Sequence, residues 1–175
     1  GNLWQFRQPG SDPTKAAAAF EWIVRQHPQN AVAPWALLAL ARRADLEVLA
    51  PTPEKAIPLY RRVLSEYPET DAAQEAVLHL AEALWQAHGK NGATEAVQEL
   101  TRWRTERSNP KYAAQIELLL GRLYRYPLQD YRAAVTHLAA AFDLGLATLP
   151  QRTSTCWTLA TLAEHDLHDR DLAVR

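Results

Sequence analysis

The chain has 175 residues, with 19 Lys plus Arg against 20 Asp plus Glu and a formal charge of −1 at pH 7, enough length for one domain or a short repeat array with a real core. Near-neutrality removes the basic footprint of a nucleic-acid-coating surface, and a single cysteine excludes an internal disulfide framework and a multi-cysteine zinc site. No apolar run approaches the roughly 18 residues of a membrane span, and no signal-peptide pattern opens the sequence.

Composition points to helices. There are 31 Ala and 25 Leu among Glu, Gln and Arg, all good helix formers, and only 6 Gly. Alternating β-branched runs are missing, so a sheet has little to build on. Most of the 11 prolines fall between alanine-rich stretches and act as punctuation. Arg outnumbers Lys 15 to 4, a bias given no functional weight. The chain has no Met, and Gly1 reads as an appended residue.

In chain order, residues 1–12, with Leu3-Trp4-x-Phe6, form a lead-in or the remnant of a first helix, and a repeat array occupies 13–175. Helices are expected at 13–27, 31–44, 53–67, 71–88, 93–107, 110–126, 129–143 and 150–165, with a ninth starting near 169 and cut at Arg175. Asp12-Pro13, Thr52-Pro53 and Asn109-Pro110 each put a capping side chain before a proline at the first helical position. The stops are Gln26-His27-Pro28 and Glu66-Tyr67-Pro68, because proline disfavours helical geometry in the residue before it. Pro58, inside its helix, predicts a kink or a later start. His88-Gly89-Lys90-Asn91-Gly92 reads as a turn between helices, not a phosphate loop.

Self-similarity is the strongest pattern. Ala16, Phe20, Ile23 and Pro28 recur 40 residues later as Ala56, Tyr60, Val63 and Pro68, then as Ala96, Leu100 and Trp103, with proline slipping to Pro110. The partner helices keep step: Leu38, Leu40 and Ala41 become Leu78, Leu80 and Ala81, then Leu118, Leu120 and Gly121, and Leu159-Ala160 follow after 39. Each unit is a hairpin, helix A then helix B. Small residues (Ala41, Ala81, Gly121 and Ala160 on A; Ala16, Ala56, Ala96 and Ala134 on B) let helix axes approach, and the large neighbours fill the gaps. A single hairpin cannot bury its apolar face, so the units stack.

Leu120-Gly121-x-x-Tyr124 followed by Ala134-x-x-x-Leu138-x-x-Ala141, and Ala56-x-x-x-Tyr60-x-x-Val63 followed by Pro68, resemble the tetratricopeptide (TPR) repeat over about residues 13–175. The departure is a 40-residue period where the family has 34, the surplus falling partly in Asp45 to Thr52 and Ala87 to Gly92. The resemblance implies an all-α fold, a right-handed superhelix of about four hairpins. Its A helices would line a concave face that holds peptides or helices. Tyr67-Pro68-Glu69-Thr70 before an Ala-rich helix resembles TPR-like modules of bacterial envelope proteins, which implies the bacterial periplasm or cell envelope.

Helical spacing then gives the partner-binding set: Trp35 and Arg42; Glu75, His79, Glu82 and Trp85; Gln115, Arg122, Arg125 and Tyr126; Trp157 and Thr161. Asp45, Leu119, Glu164 and His165 are expected on the same solvent face. Aromatic residues mixed with Arg suit a protein-binding surface, although Trp35, Trp85 and Trp157 equally suit packing between repeats. The family's carboxylate clamp of Lys and Asn does not carry over, since its places hold Leu38, Arg42, Leu78 and Glu82.

Little points to chemistry. His165-x-x-His168, with Glu164, Asp166 and Asp169, is the densest set of metal-ligating types, but it straddles a helix end where such residues are ordinary solvated groups. Cys156 is expected to be a buried, inert thiol, and His79 and His137 surface or packing residues. Trp103 should face the core while Arg102, Arg104 and Arg107 reach solvent, offset by Glu99 and Glu106. No metal, cofactor or catalytic residue is assigned. The expectation is a non-enzymatic scaffold that binds a protein or peptide, without nucleic-acid binding or membrane insertion. The alternative is a structural or oligomerisation module of a larger, membrane-anchored envelope protein, self-associating through repeat ends such as Leu172 and Val174.

Overall fold

In the computed structural model, residues 13–45, 52–107 and 109–167 are described, except the side chains of Pro13 and His165. Among them are helices and turns but no strand. The helices are α1 (Pro13–Gln26), α2 (Ala33–Asp45), α3 (Pro53–Glu66), α4 (Asp71–Glu106), α5 (Pro110–Leu123), α6 (Tyr131–Asp143) and α7 (Leu149–Thr161). The expected lead-in, the cap at Asp12, the ninth helix and His168 lie outside the described residues.

The proline-marked stops fall where expected. The His27 amide donates to the Ile23 carbonyl at 2.9 Å and the Tyr67 amide to the Val63 carbonyl at 3.0 Å, closing α1 and α3. Each is followed by the same turn. Asn30 accepts from the Val32 amide at 2.9 Å, and Thr70, 40 residues on, accepts from the Ala73 amide at 3.3 Å.

Two of the three proline-marked starts can be checked. Asn109 caps α5, its Oδ1 accepting from the Lys111 amide at 3.0 Å. Thr52 stands at the N-cap of α3 but does not cap it with its side chain. Its hydroxyl donates to the Ala44 carbonyl at 3.2 Å, alongside its own amide at 2.8 Å, so it ties the start of α3 to the end of α2. Pro58 neither breaks nor delays α3; the helix runs through it with the proline exposed.

α4 narrows the expected turn at 88–92 to a single residue. Helix is continuous on either side of one residue, Gly89, whose φ of 56° and ψ of −130° divide 71–88 from 90–106. That conformation is open to glycine and strained for other residues. α5 likewise does not run to 126. A π-helical turn, Tyr124–Leu128, carries Pro127, whose missing amide a regular turn would have used. Gln129 ends it at φ 58°, and the amides of Gln129 and Asp130 both donate to the Tyr124 carbonyl. A second π turn, Leu162–Asp166, follows α7, which starts on a capping box of Thr148 and Gln151 that the sequence reading did not use.

The chain divides into two compact units, Gly1–His79 and Leu80–Arg175. In the first, α2 packs against both α1 and α3. Leu37, Leu38 and Ala41 are buried there with Ala56, Tyr60 and Val63 of α3. In the second, α6 packs on α5 and α7, and Ala134, Leu138 and Leu162 form a cluster bordered by Leu118, Tyr124 and Leu159. The repeated small positions are tight. Ala41, Ala56, Ala81 and Ala96 are fully buried, and a Cβ on Gly121 would lie 2.6 Å from Cγ of Leu138.

Candidate protein-binding surface

In the first unit, α2 and α4 bring Arg42 within 4.0 Å of Glu75, both about one-third exposed. His79 stacks on Tyr60 with ring centroids 5.8 Å apart. Burial, then the Arg42 charge, lowers its pKa to about 4, so the ring is neutral at pH 7. Trp35 is half-buried. Asp45, expected in solvent, is 3% exposed, and its Oδ2 accepts from the Tyr60 hydroxyl at 3.0 Å. A groove of about 890 Å³ lies between α1 and α3 with α2 as its floor. It was not anticipated, because it is made by the spacing of helices rather than by any motif.

In the second unit, the A helix α5 and its π turn carry Gln115, Arg122, Arg125 and Tyr126. Gln115, Arg122 and Tyr126 are exposed. Leu119 is not; at 5% exposure it belongs to the core, as Ala39 does at the same repeat position. Arg122 Nη1 donates to Glu82 Oε1 at 3.3 Å. Arg125 Nη1 donates to the Thr158 hydroxyl at 3.1 Å, and its guanidinium lies 4.9 Å from the Tyr126 ring centroid. Trp85 is half-buried and Thr161 turns its hydroxyl back to the Trp157 carbonyl at 2.8 Å.

Between α5 and α7 runs a groove of about 380 Å³ with Leu138 of α6 in its lining. Arg122, Arg125 and Tyr126 line it from one side and Ser154, Thr155 and Thr158 from the other. It shares Pro150 and Ser154 with an apolar shelf made by Leu149, Thr153 and Trp157. Leu149 and Trp157 are 76% and 77% exposed. The packing role that would have suited all three tryptophans therefore does not fit Trp157.

Joining α4, α5 and α6 in the second unit is a polar cluster that the sequence reading missed. Glu117, 5% exposed, accepts from Arg104 and is paired at 2.7 Å with Nδ1 of His137, whose ring stacks on Tyr124 at 5.2 Å. The signal was present: Glu117 occupies the repeat position of Leu37 and Val77, both buried. Arg104 thus pairs with Glu117, while Arg102 pairs with Glu99 and Arg107 lies over Trp103, which is 6% exposed.

Cys156 is exposed, correcting the expected buried thiol, because α7 turns that edge to solvent. Among the described residues no three His, Cys, Asp or Glu side chains converge as metal ligands, and Glu164 is exposed. The His165–His168 pair falls on side chains outside them. No helix among the described residues is long and apolar enough to cross a membrane.

No family model matches the sequence, and no curated protein matches it. A solved structure does. The crystal structure of MamA superposes with a TM-score of 0.65 over 90% of this chain and 80% of that chain, at 18% sequence identity. MamA is TPR-like. With the all-helical architecture and the recurring hairpins, this likeness shows that the chain has a TPR-like helical-repeat fold.

Proposed function

We propose that the chain is a non-enzymatic protein–protein interaction scaffold that holds a peptide or protein segment on the exposed faces of its A helices. The observation that carries the reading is the groove between α5 and α7. Arginines and hydroxyls line it, and it opens beside an apolar shelf of strongly exposed Leu149 and Trp157. Exposed aromatic residues next to arginine are the usual anchors of protein interfaces. Helices fixed by a packed core present them with little ordering cost on binding.

A photo-crosslinking residue placed at Trp157, with Arg132 on α6 as the control site, tests the reading in cells. Adducts at 157 that are absent at 132 support it; equal adducts at both sites, or none at 157, overturn it.

The same Leu149–Trp157 shelf also favours a second reading, self-association of this chain. Light scattering over a concentration series separates the two. Dimers that Trp157→Ala abolishes would support self-association, and a concentration-independent monomer would reject it.

A further inference from the structure

Resting on the scaffold reading, we infer that the α5–α7 groove selects partner segments bearing an internal acidic side chain, which docks on Arg125, next to an apolar residue seated on the Leu149–Trp157 shelf.

Arg125 lines this groove from the π turn that follows α5. Its guanidinium is held from two directions, by the Thr158 hydroxyl at 3.1 Å and by the Tyr126 ring at 4.9 Å. Neither partner carries charge. Arg122 beside it has Glu82 as counter-ion, whereas no carboxylate among the described residues lies within ion-pairing distance of Arg125. The groove lining supplies none either. It has two arginines, hydroxyls and an amide, and no Asp or Glu.

A planar guanidinium fixed in this way keeps further N–H donors for a carboxylate, and fixing it beforehand lowers the entropy lost when the ion pair forms. Ser154 and Thr158 add hydroxyls along the same wall. The groove continues past Pro150 and Ser154 onto the shelf. A bound segment therefore has somewhere to go beyond its acidic residue. Leu149, Thr153 and Trp157 recur every four residues along one stripe of α7, so the shelf offers its apolar surface in line with the groove. An internal Asp or Glu flanked by an apolar side chain matches both parts.

The test is selection from a phage-displayed random dodecapeptide library, fused at its C-terminal end so that no free peptide carboxylate is offered. Enriched sequences are then made as amidated, fluorescein-labelled peptides, and their affinities measured for the whole chain. The expected result is enrichment of Asp or Glu next to Leu, Phe or Trp. Binding should fall at least about ten-fold with Arg125→Gln, with Glu→Gln in the peptide, and with Trp157→Ala, and fall less with Arg125→Lys. Circular dichroism confirms that the variants remain folded.

Enriched peptides without an acidic preference, whose binding responds to Trp157→Ala but not to Arg125→Gln, would overturn this inference and leave the scaffold reading standing. Enriched peptides that bind at least about ten-fold more tightly as free acids than as amides, and whose binding Glu→Gln in the peptide leaves unchanged, would also overturn it. Failure to enrich any peptide that responds to either variant would remove both.

Discussion

Arg122 and Glu82 stand 40 residues apart and meet, the guanidinium donating to the carboxylate at 3.3 Å. They occupy the same place in successive A helices, so the repeat register itself makes the pair. Both are partly exposed, which limits its worth to about 0.2–1 kcal/mol. A double-mutant cycle of Arg122→Ala and Glu82→Ala in urea unfolding should return a coupling in that range. It should shrink as salt rises toward about 1 M, and the exchanged pair Arg122→Glu with Glu82→Arg should recover most of it.

Glu117 should behave differently. It is buried between Arg104 and His137, and its removal leaves the mostly buried His137 without that partner. Glu117→Ala is expected to cost about 1–2 kcal/mol, mostly from the hydrogen-bond partner that His137 loses, since Arg104 is 39% exposed and can turn to water. Glu117→Leu, which restores the apolar type of Leu37 and Val77, should cost less when combined with Arg104→Met. Urea midpoints at constant slope would check the order.

His79 makes the first unit acid-sensitive. Its pKa falls from 6.5 to about 4 on folding, through burial and the Arg42 charge. Between those values the unfolded chain takes up a proton that the folded chain refuses, so stability declines as pH drops through the window. Above it, the group contributes no slope. The loss is at most about 3 kcal/mol, reached below the folded pKa. His79→Phe keeps a ring against Tyr60 and should flatten the stability profile between pH 6.5 and about 4.

Gly121 stands where earlier repeats have Ala41 and Ala81. An added methyl there would lie 2.6 Å from Cγ and 2.7 Å from Cδ2 of Leu138. Gly121→Ala should therefore destabilise by about 1–2 kcal/mol, overpacking outweighing the better helix propensity of Ala. Adding Leu138→Ala should relieve the clash, so the double variant should lose less than the two single losses combined.

Local chemistry was legible before the structure. Pro28 and Pro68 mark where α1 and α3 stop, and Asn109-Pro110 marks where α5 starts. Counting residues around a helix misplaced Asp45 and Leu119, although Ala39, two repeats before Leu119, sits in an apolar place. Thr52 looked like a cap because its neighbour is proline; its hydroxyl instead found the Ala44 carbonyl at the end of α2. The Glu117 cluster and the α5–α7 groove join residues far apart in sequence. Helical periodicity, which records only one element at a time, does not encode them.

Gly89 makes a joint one residue long, so nothing there absorbs a change in chain length. Inserting a single residue beside it would rotate everything that follows by about 100° and turn buried positions such as Ala93 and Ala96 toward water. Related chains are expected to vary in length elsewhere and to hold this junction at constant length, with glycine as its only comfortable occupant.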